Sequence, residues 1–307
     1  MFSFKKLAGI GLGATFLLIS IGGLVRATKS GLGCGDDWPR CSGRLLPEVQ
    51  NRAMMIEFSH RFVAGIVVVI LALLVLQAFR QKRPAAIKRA TIAAFGLVIF
   101  QALLGAAVVF FHLHADLVVL HLGTALSLLA LMAYIFLSEA DPDTDRDADA
   151  SRRSAFAAGS VFVLVLIGSY VSGAGAGYVF PDWPLMDGRV IPDLAVEGKA
   201  IHFLHRALAG LVGVIVARAA WQASKNKARA PLASRLTHAA AGLFAVEVLV
   251  GATNVFTGGN DASVTIHLAL GAAIWALLVS SSIVTRPRLA ERGSKSRSTT
   301  LRSTEAA

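Results

Sequence analysis

The run Asp37-Trp-Pro-Arg-Cys-Ser-Gly-Arg44, followed by Ile56-Glu-Phe-Ser-His60-Arg61, returns 145 residues later as Asp182-Trp-Pro-Leu-Met-Asp-Gly-Arg189 and Ile201-His-Phe-Leu-His205-Arg206. At the same offset Pro47, Phe58, Ala64 and Gly65 meet Pro192, Phe203, Ala209 and Gly210. After one inserted residue, Gly105 and Ala106 face Gly251 and Ala252, and His121-Leu122 faces His267-Leu268. So ordered a match marks a duplication, and each copy carries a pair of histidines in corresponding places.

The sequence around these motifs is written for lipid. Of 307 residues, 55% are hydrophobic and 16% charged, with a mean hydropathy of +0.64, too little polar surface for a soluble globule. Apolar stretches long enough to cross a bilayer run over Leu7–Val25, Phe62–Phe79, Ala90–Phe111, Leu117–Leu137 and Ala155–Val171. Three weaker ones follow: Ile201–Ala223, holding Arg206 and Arg218, then Leu236–Phe256 with Glu247 inside, then Val264–Val284. Four spans per copy is an even number, so the copies share one orientation about an axis along the membrane normal. The expected fold is an all-α integral membrane protein of eight transmembrane helices. They form two tandem four-helix bundles related by a pseudo-two-fold axis: residues 1–138 and 154–285. An Asp-rich cytoplasmic linker containing Pro142 occupies 139–153, and 286–307 reads as a disordered basic tail.

A net charge of +11 raises the question of nucleic acid, but the placement of the basic residues argues for membrane orientation and no nucleic-acid partner. Lys5, Lys6, the cluster Arg80, Lys82, Arg83, Lys88 and Arg89, then Arg152, Arg153, Lys225, Lys227, Arg229, Arg235 and the tail from Arg286 all fall on one side. That side is expected to be the cytoplasm, with both termini there. Arg26, Lys29, Arg40, Arg44 and Arg52 in the first opposite loop oppose this bias, interleaved with Asp36, Asp37 and Glu48. No small-residue cleavage site follows the apolar run of Met1–Val25, which is read as the first helix, and a prokaryotic cell membrane is the expected setting.

In a bundle with short connections the second and fourth helices are diagonal and parallel. His60 and His121 then lie at one depth near the outer starts of those helices, facing across the core, and His205 and His267 repeat the arrangement. Iron bound by two imidazoles needs ligands on opposite sides of a flat ring, which diagonal helices provide. The competing reading is that these histidines hydrogen-bond between helices. Gly65, Gly123, Gly210 and Gly271 would let a bulky ring approach the backbone, or serve ordinary helix packing. Arg61 and Arg206 are candidates for holding propionates, against the alternative of snorkelling to the interface. His112 and His114 have a spacing that suits a metal, but read better as solvated loop residues. His238 has no counterpart and is structural.

The copies differ in three telling places. Glu57, three residues before His60 and so on the same helix face, is replaced by His202 in the second copy. A carboxylate at the pocket edge can move protons, which makes the first half the chemical one and the second the electron-transferring one. Pairing with Arg61 at i+4 is the plainer role for Glu57. Gln101 corresponds to Glu247, an intramembrane acid. Cys34 and Cys41, the chain's only cysteines, stand where the second copy has Val179 and Met186. In an oxidising compartment they suit a disulfide pinning the loop over the first pocket, with a redox role as the alternative.

Glu57-Phe-Ser-His60-Arg61, His202-Phe-Leu-His205-Arg206, the two Asp-Trp-Pro loops and the helix-start His121 and His267 together resemble the haem A synthase family over nearly the whole chain. The resemblance implies a membrane haem-dependent oxidoreductase that oxidises the C8 methyl of haem O to a formyl group by successive hydroxylations, giving haem A for cytochrome oxidase. It implies haem O as substrate between His60 and His121, haem b as cofactor on the iron ligands His205 and His267, and Glu57 as catalytic acid or base. It further implies a complex with haem O synthase, the protohaem farnesyltransferase, and leaves a homo-oligomer open. Some members carry a second cysteine pair, and Val179 and Met186 put any two-disulfide mechanism in doubt. The rival from another class is a dihaem b-type, quinol-linked electron-transfer protein, which Glu57 and the unequal halves argue against. A transporter is disfavoured because the helices lack clear mid-membrane breaks.

Overall fold

The computed structural model describes residues 3–44, 47, 50–139 and 146–287. Residues 140–145 of the expected linker and 288–307 of the expected basic tail lie outside the described residues. All eight expected spans are helices of 24 to 29 residues: α1 Phe4–Ala27, α2 Arg52–Arg80, α3 Ala85–Phe110, α4 Ala115–Ser138, α5 Ala148–Gly173, α6 Glu197–Lys225, α7 Pro231–Phe256 and α8 Asp261–Thr285. At about 1.5 Å per residue each exceeds the hydrocarbon thickness of a bilayer, about 30 Å. The chain is a multi-pass membrane protein.

Several helix starts are set by local capping rather than by hydropathy. The Asn51 side chain accepts from the Met54 N–H at 3.0 Å, so α2 begins ten residues before its apolar stretch does at Phe62. Its first, polar turns carry Glu57, His60 and Arg61. Asn260 caps α8 through Ser263 N–H at 2.9 Å, and Asp147 caps α5 through the amides of Asp149 and Ala150 at 2.8 and 3.2 Å. Pro231 opens α7 at a position where its missing N–H costs nothing.

Packing is cyclic within each set of four. α1 lies against α2 and α4, and α3 completes the ring by packing on both; α5, α6, α7 and α8 repeat the pattern. Thus α2 and α4 stand across from each other, as do α6 and α8. Between the sets, α1 packs on α8, α4 on α5 and α4 on α8. The core of the first set centres on Val67, Leu71, Leu74, Ala94, Met132 and Ile135. That of the second centres on Ala157, Val161, Val216, Phe244, Ile274 and Leu278, and extends to Ile19 of α1 and Leu122, Leu126 and Leu129 of α4. Polar ties reinforce the seam: Arg26 at the end of α1 donates to the Ser172 carbonyl near the end of α5 at 2.9 Å, and Arg52 pairs with Asp261 at 3.3 Å. Exposed Phe62, Ile66, Val69, Leu73, Leu76 and Phe79 form a helical stripe along α2, the face such a helix turns to lipid.

Candidate functional site

Two loops of matching construction cover one end of the bundle. In the first, Asp37 Oδ2 accepts from Gly43 N–H at 2.6 Å; in the second, Asp182 Oδ2 accepts from Gly188 N–H at 2.8 Å and Oδ1 from Asp187 N–H at 2.8 Å. Ser42-Gly43 and Asp187-Gly188 all have positive φ, and the flanking residues exchange two backbone hydrogen bonds, Cys41 with Arg44 and Met186 with Arg189. Consecutive positive φ values are tolerated best when one residue is glycine, which explains the repeated Gly43 and Gly188. The two amides, Gly188 first, hold the Asp182 carboxyl below its ordinary value, with Arg206 adding to the effect.

Each loop is tied to the helix beneath by an arginine. Arg61 Nη1 donates to the carbonyls of Asp37 and Arg40, both at 2.7 Å, and its Nη2 meets Glu57. Arg206 Nη1 donates to the carbonyls of Asp182 and Leu185, both at 3.0 Å, and its Nε to His202 Nε2 at 3.0 Å. An arginine cannot accept, so His202 is held with Nε2 unprotonated. The hydrogen-bonding sets also differ in that Arg206 Nη2 is buried with no partner.

Glu57 is 3% exposed and engaged on both oxygens, by Arg61 and by the Cys34 N–H at 2.8 Å. Its i+4 pairing with Arg61 is therefore present. Cys34 and Cys41 form a disulfide, Cα–Cα 4.4 Å, buried with Met54 and Phe58 in a small core of its own. Gly33 lets the loop press onto the start of α2, since a Cβ there would lie 2.5 Å from the Ala53 carbonyl. The second loop reaches the same turn with Met186 and no disulfide.

Below the loops are the four histidines. His60 and His205 each stand eight residues after the first residue of their helix, His121 and His267 six after theirs. All four Nδ1 atoms are buried without an aligned hydrogen-bond partner, although Glu247 Oε1 lies 3.1 Å from that of His267. The rings of His205 and His267 are 6.5 Å apart between centroids and inclined at 76°.

Each imidazole rests against a glycine of the preceding helix. A Cβ on Gly22, Gly105, Gly168 or Gly251 would lie 3.2, 3.3, 2.8 or 3.1 Å from Cε1 of His60, His121, His205 or His267 respectively. None of these four is among the glycines singled out in the sequence for letting a bulky ring approach the backbone. Gly123 meets Leu166 and Phe162, and Gly271 meets Val165 and Glu247, so both serve helix packing, while Gly65 and Gly210 have no neighbour within 4 Å of a Cβ. Gly105 and Gly251 were visible as repeat partners, but Gly22 and Gly168 correspond at an offset of 146 and fall out of the loop alignment at 145.

The remaining candidates are peripheral. His114 is exposed and lies 3.5 Å from Asp116, and His238 bonds the Ser234 carbonyl at 2.7 Å.

The donor set fits a bis-imidazole iron. Metal–imidazole bonds of about 2 Å on either side of one ion separate the ring centres by roughly 6 Å, close to the spacing of His205 and His267. The half-buried rings, with Nδ1 turned into protein, leave Nε2 for the metal.

The family model COX15-CtaA, described as cytochrome oxidase assembly protein, matches residues 5–279. A "Heme A synthase" of Shouchella clausii is 33% identical over 214 residues, 67% of this chain and 70% of that protein. One of Symbiobacterium thermophilum is 30% identical over 299 residues, 92% of this chain and 96% of the relative. A third, of Staphylococcus haemolyticus, is 29% identical over 278 residues, 85% and 88% of the two chains.

Proposed function

The chain belongs to the COX15-CtaA family of cytochrome oxidase assembly proteins, and we propose that it is a haem A synthase whose two halves divide the work. The observation that carries the reading is the set of four imidazoles at matched depths, each seated on a glycine. Haem O is the substrate in the first half, between His60 and His121, and haem b the resident cofactor of the second, between His205 and His267. When bound, that haem supplies one-electron chemistry.

The residues of the chain do the positioning. Diagonal helices hold each imidazole pair across the bundle core, and the glycines fix the distance of each ring from the neighbouring helix. Arg206 Nη2, buried and unpartnered, is the better propionate donor; Arg61 spends its fork on two carbonyls and Glu57. Glu57, held in place by Arg61 and the Cys34 amide, is the acid or base at the first site. Its counterpart His202 is an acceptor already engaged by Arg206. The disulfide anchors the Cys34 amide and with it the carboxylate. The termini lie in the cytoplasm and the loops outside, and a haem O synthase delivers a substrate too apolar to cross water.

Chromatography of haems extracted from membranes supplied with haem O tests this. We expect haem A from the wild type, and from Glu57→Gln bound haem without the formyl product. Absence of haem A from the wild type would leave a dihaem electron carrier. Undiminished haem A from Glu57→Gln would return Glu57 to its ion pair with Arg61.

A further inference from the structure

Four buried Nδ1 atoms raise the question of what accepts their protons. One of the four differs. Glu247 of α7 places Oε1 3.1 Å from Nδ1 of His267 on α8. Its side chain is 14% exposed, and Oε2 is buried without a partner. Gly251, the seat of the His267 ring, is one turn further along α7, so a single face of that helix presents both the seat and the acid. The repeat-related pair in the first half is Gln101 and Gly105. There the Gln101 amide donates to the His121 carbonyl at 2.9 Å, leaving the imidazole itself without a carboxylate.

We propose that Glu247 is a positioning residue for the second-half iron ligand: its carboxylate accepts the Nδ1–H of His267, directs Nε2 to the iron and lowers the reduction potential there. The contact is at bonding distance although the Nδ1–H is not aligned along it. A carboxylate behind a ligating imidazole fixes the tautomer and raises the basicity of the metal-bound nitrogen. A more basic ligand stabilises the ferric over the ferrous state. The first half has an amide at this position, so this residue contributes a difference in electron affinity between the two sites. This rests on His205 and His267 being the ligands.

The experiment is a redox titration of the purified full chain, following the low-spin haem band, with electron paramagnetic resonance of the oxidised form. Glu247→Gln is expected to keep the haem, shift its midpoint potential upward and change the low-spin g values; Glu247→Asp is expected to fall between. Loss of haem from Glu247→Gln in a chain that elutes and melts like the wild-type apoprotein also supports the role, as weakened ligation. Unchanged potential and g values in Glu247→Gln, or unfolding of both variants, overturns it and assigns Glu247 to packing. A wild type without a low-spin band that His205→Ala removes would instead defeat the ligand assignment, a different result from a bound haem indifferent to Glu247.

Discussion

At the scale of single residues, the imidazole seats make the sharpest demand on side-chain volume. An added methyl at Gly168 would lie 2.8 Å from the His205 ring, closer than carbon atoms approach, so the ring must move. Overpacking of this kind costs about 1–3 kcal/mol, equivalent to roughly a 5- to 150-fold loss in haem retention if it falls on the bound state. Gly168→Ala is therefore expected to weaken the low-spin spectrum, whereas Gly159→Ala on the same helix, with no neighbour within 4 Å of a Cβ, leaves it intact. Absorption spectra of the two purified variants decide the matter. His205→Ala and His267→Ala are each expected to abolish the band, and an unaltered spectrum in both would remove them as ligands. The histidines were legible because the repeat put them in register. The seats were not all legible: a glycine carries no chemistry of its own, and the single-residue shift between loop and helix hid Gly22 and Gly168.

The elements show where hydropathy informs and where it stops. Eight apolar runs became eight helices, but α2 starts at Arg52, ten residues before its apolar run, because Asn51 caps it and a polar first stretch is stable at an interface. The Asp-Trp-Pro loops were recognisable as repeats without their purpose being evident. Their Asp-capped turns and arginine anchors now explain the repeated Asp, Gly and Arg. The second loop makes the same turn without a disulfide, so Cys34→Ser with Cys41→Ser is expected to keep the turn. It loses about 2 kcal/mol of loop restraint. Hydrogen exchange should then show faster exchange at the Cys34 amide than in wild type, with Arg61 still protecting the loop. Unchanged exchange would mean that Glu57 alone holds that amide. Acid should act on the second loop in one direction. Asp182 titrates below its ordinary value of 3.8, so its hold on the turn persists above that value. It is lost as pH falls through the lower, folded-state value. Exchange at Gly188 is expected to accelerate only in that acidic range, and acceleration already near neutrality would show that Asp182 does not secure the turn.

For the molecule as a whole, the duplication was legible but the way its copies meet was not. In lipid the face a helix turns to a neighbour is no more apolar than the face it turns outward, so periodicity does not say that α1 seats on α8 and α4 on α5. Those contacts correspond to each other under exchange of the copies, with α4 and α8 meeting between them. The second-set core even incorporates Leu122, Leu126 and Leu129 from α4. Residues 1–139 and 146–307, produced as two polypeptides in one membrane, are accordingly expected to co-purify and retain the haem of the second half; recovery of either alone would place the association in the connecting segment. The same arrangement has an ancestral reading. A seam that one half presents to the other in equivalent form is what two identical four-helix chains would have shared, so the gene fusion that joined them freed each copy to change separately. Positions 57 and 202 then diverged independently, as did 101 and 247, into Glu57 and His202 and into Gln101 and Glu247.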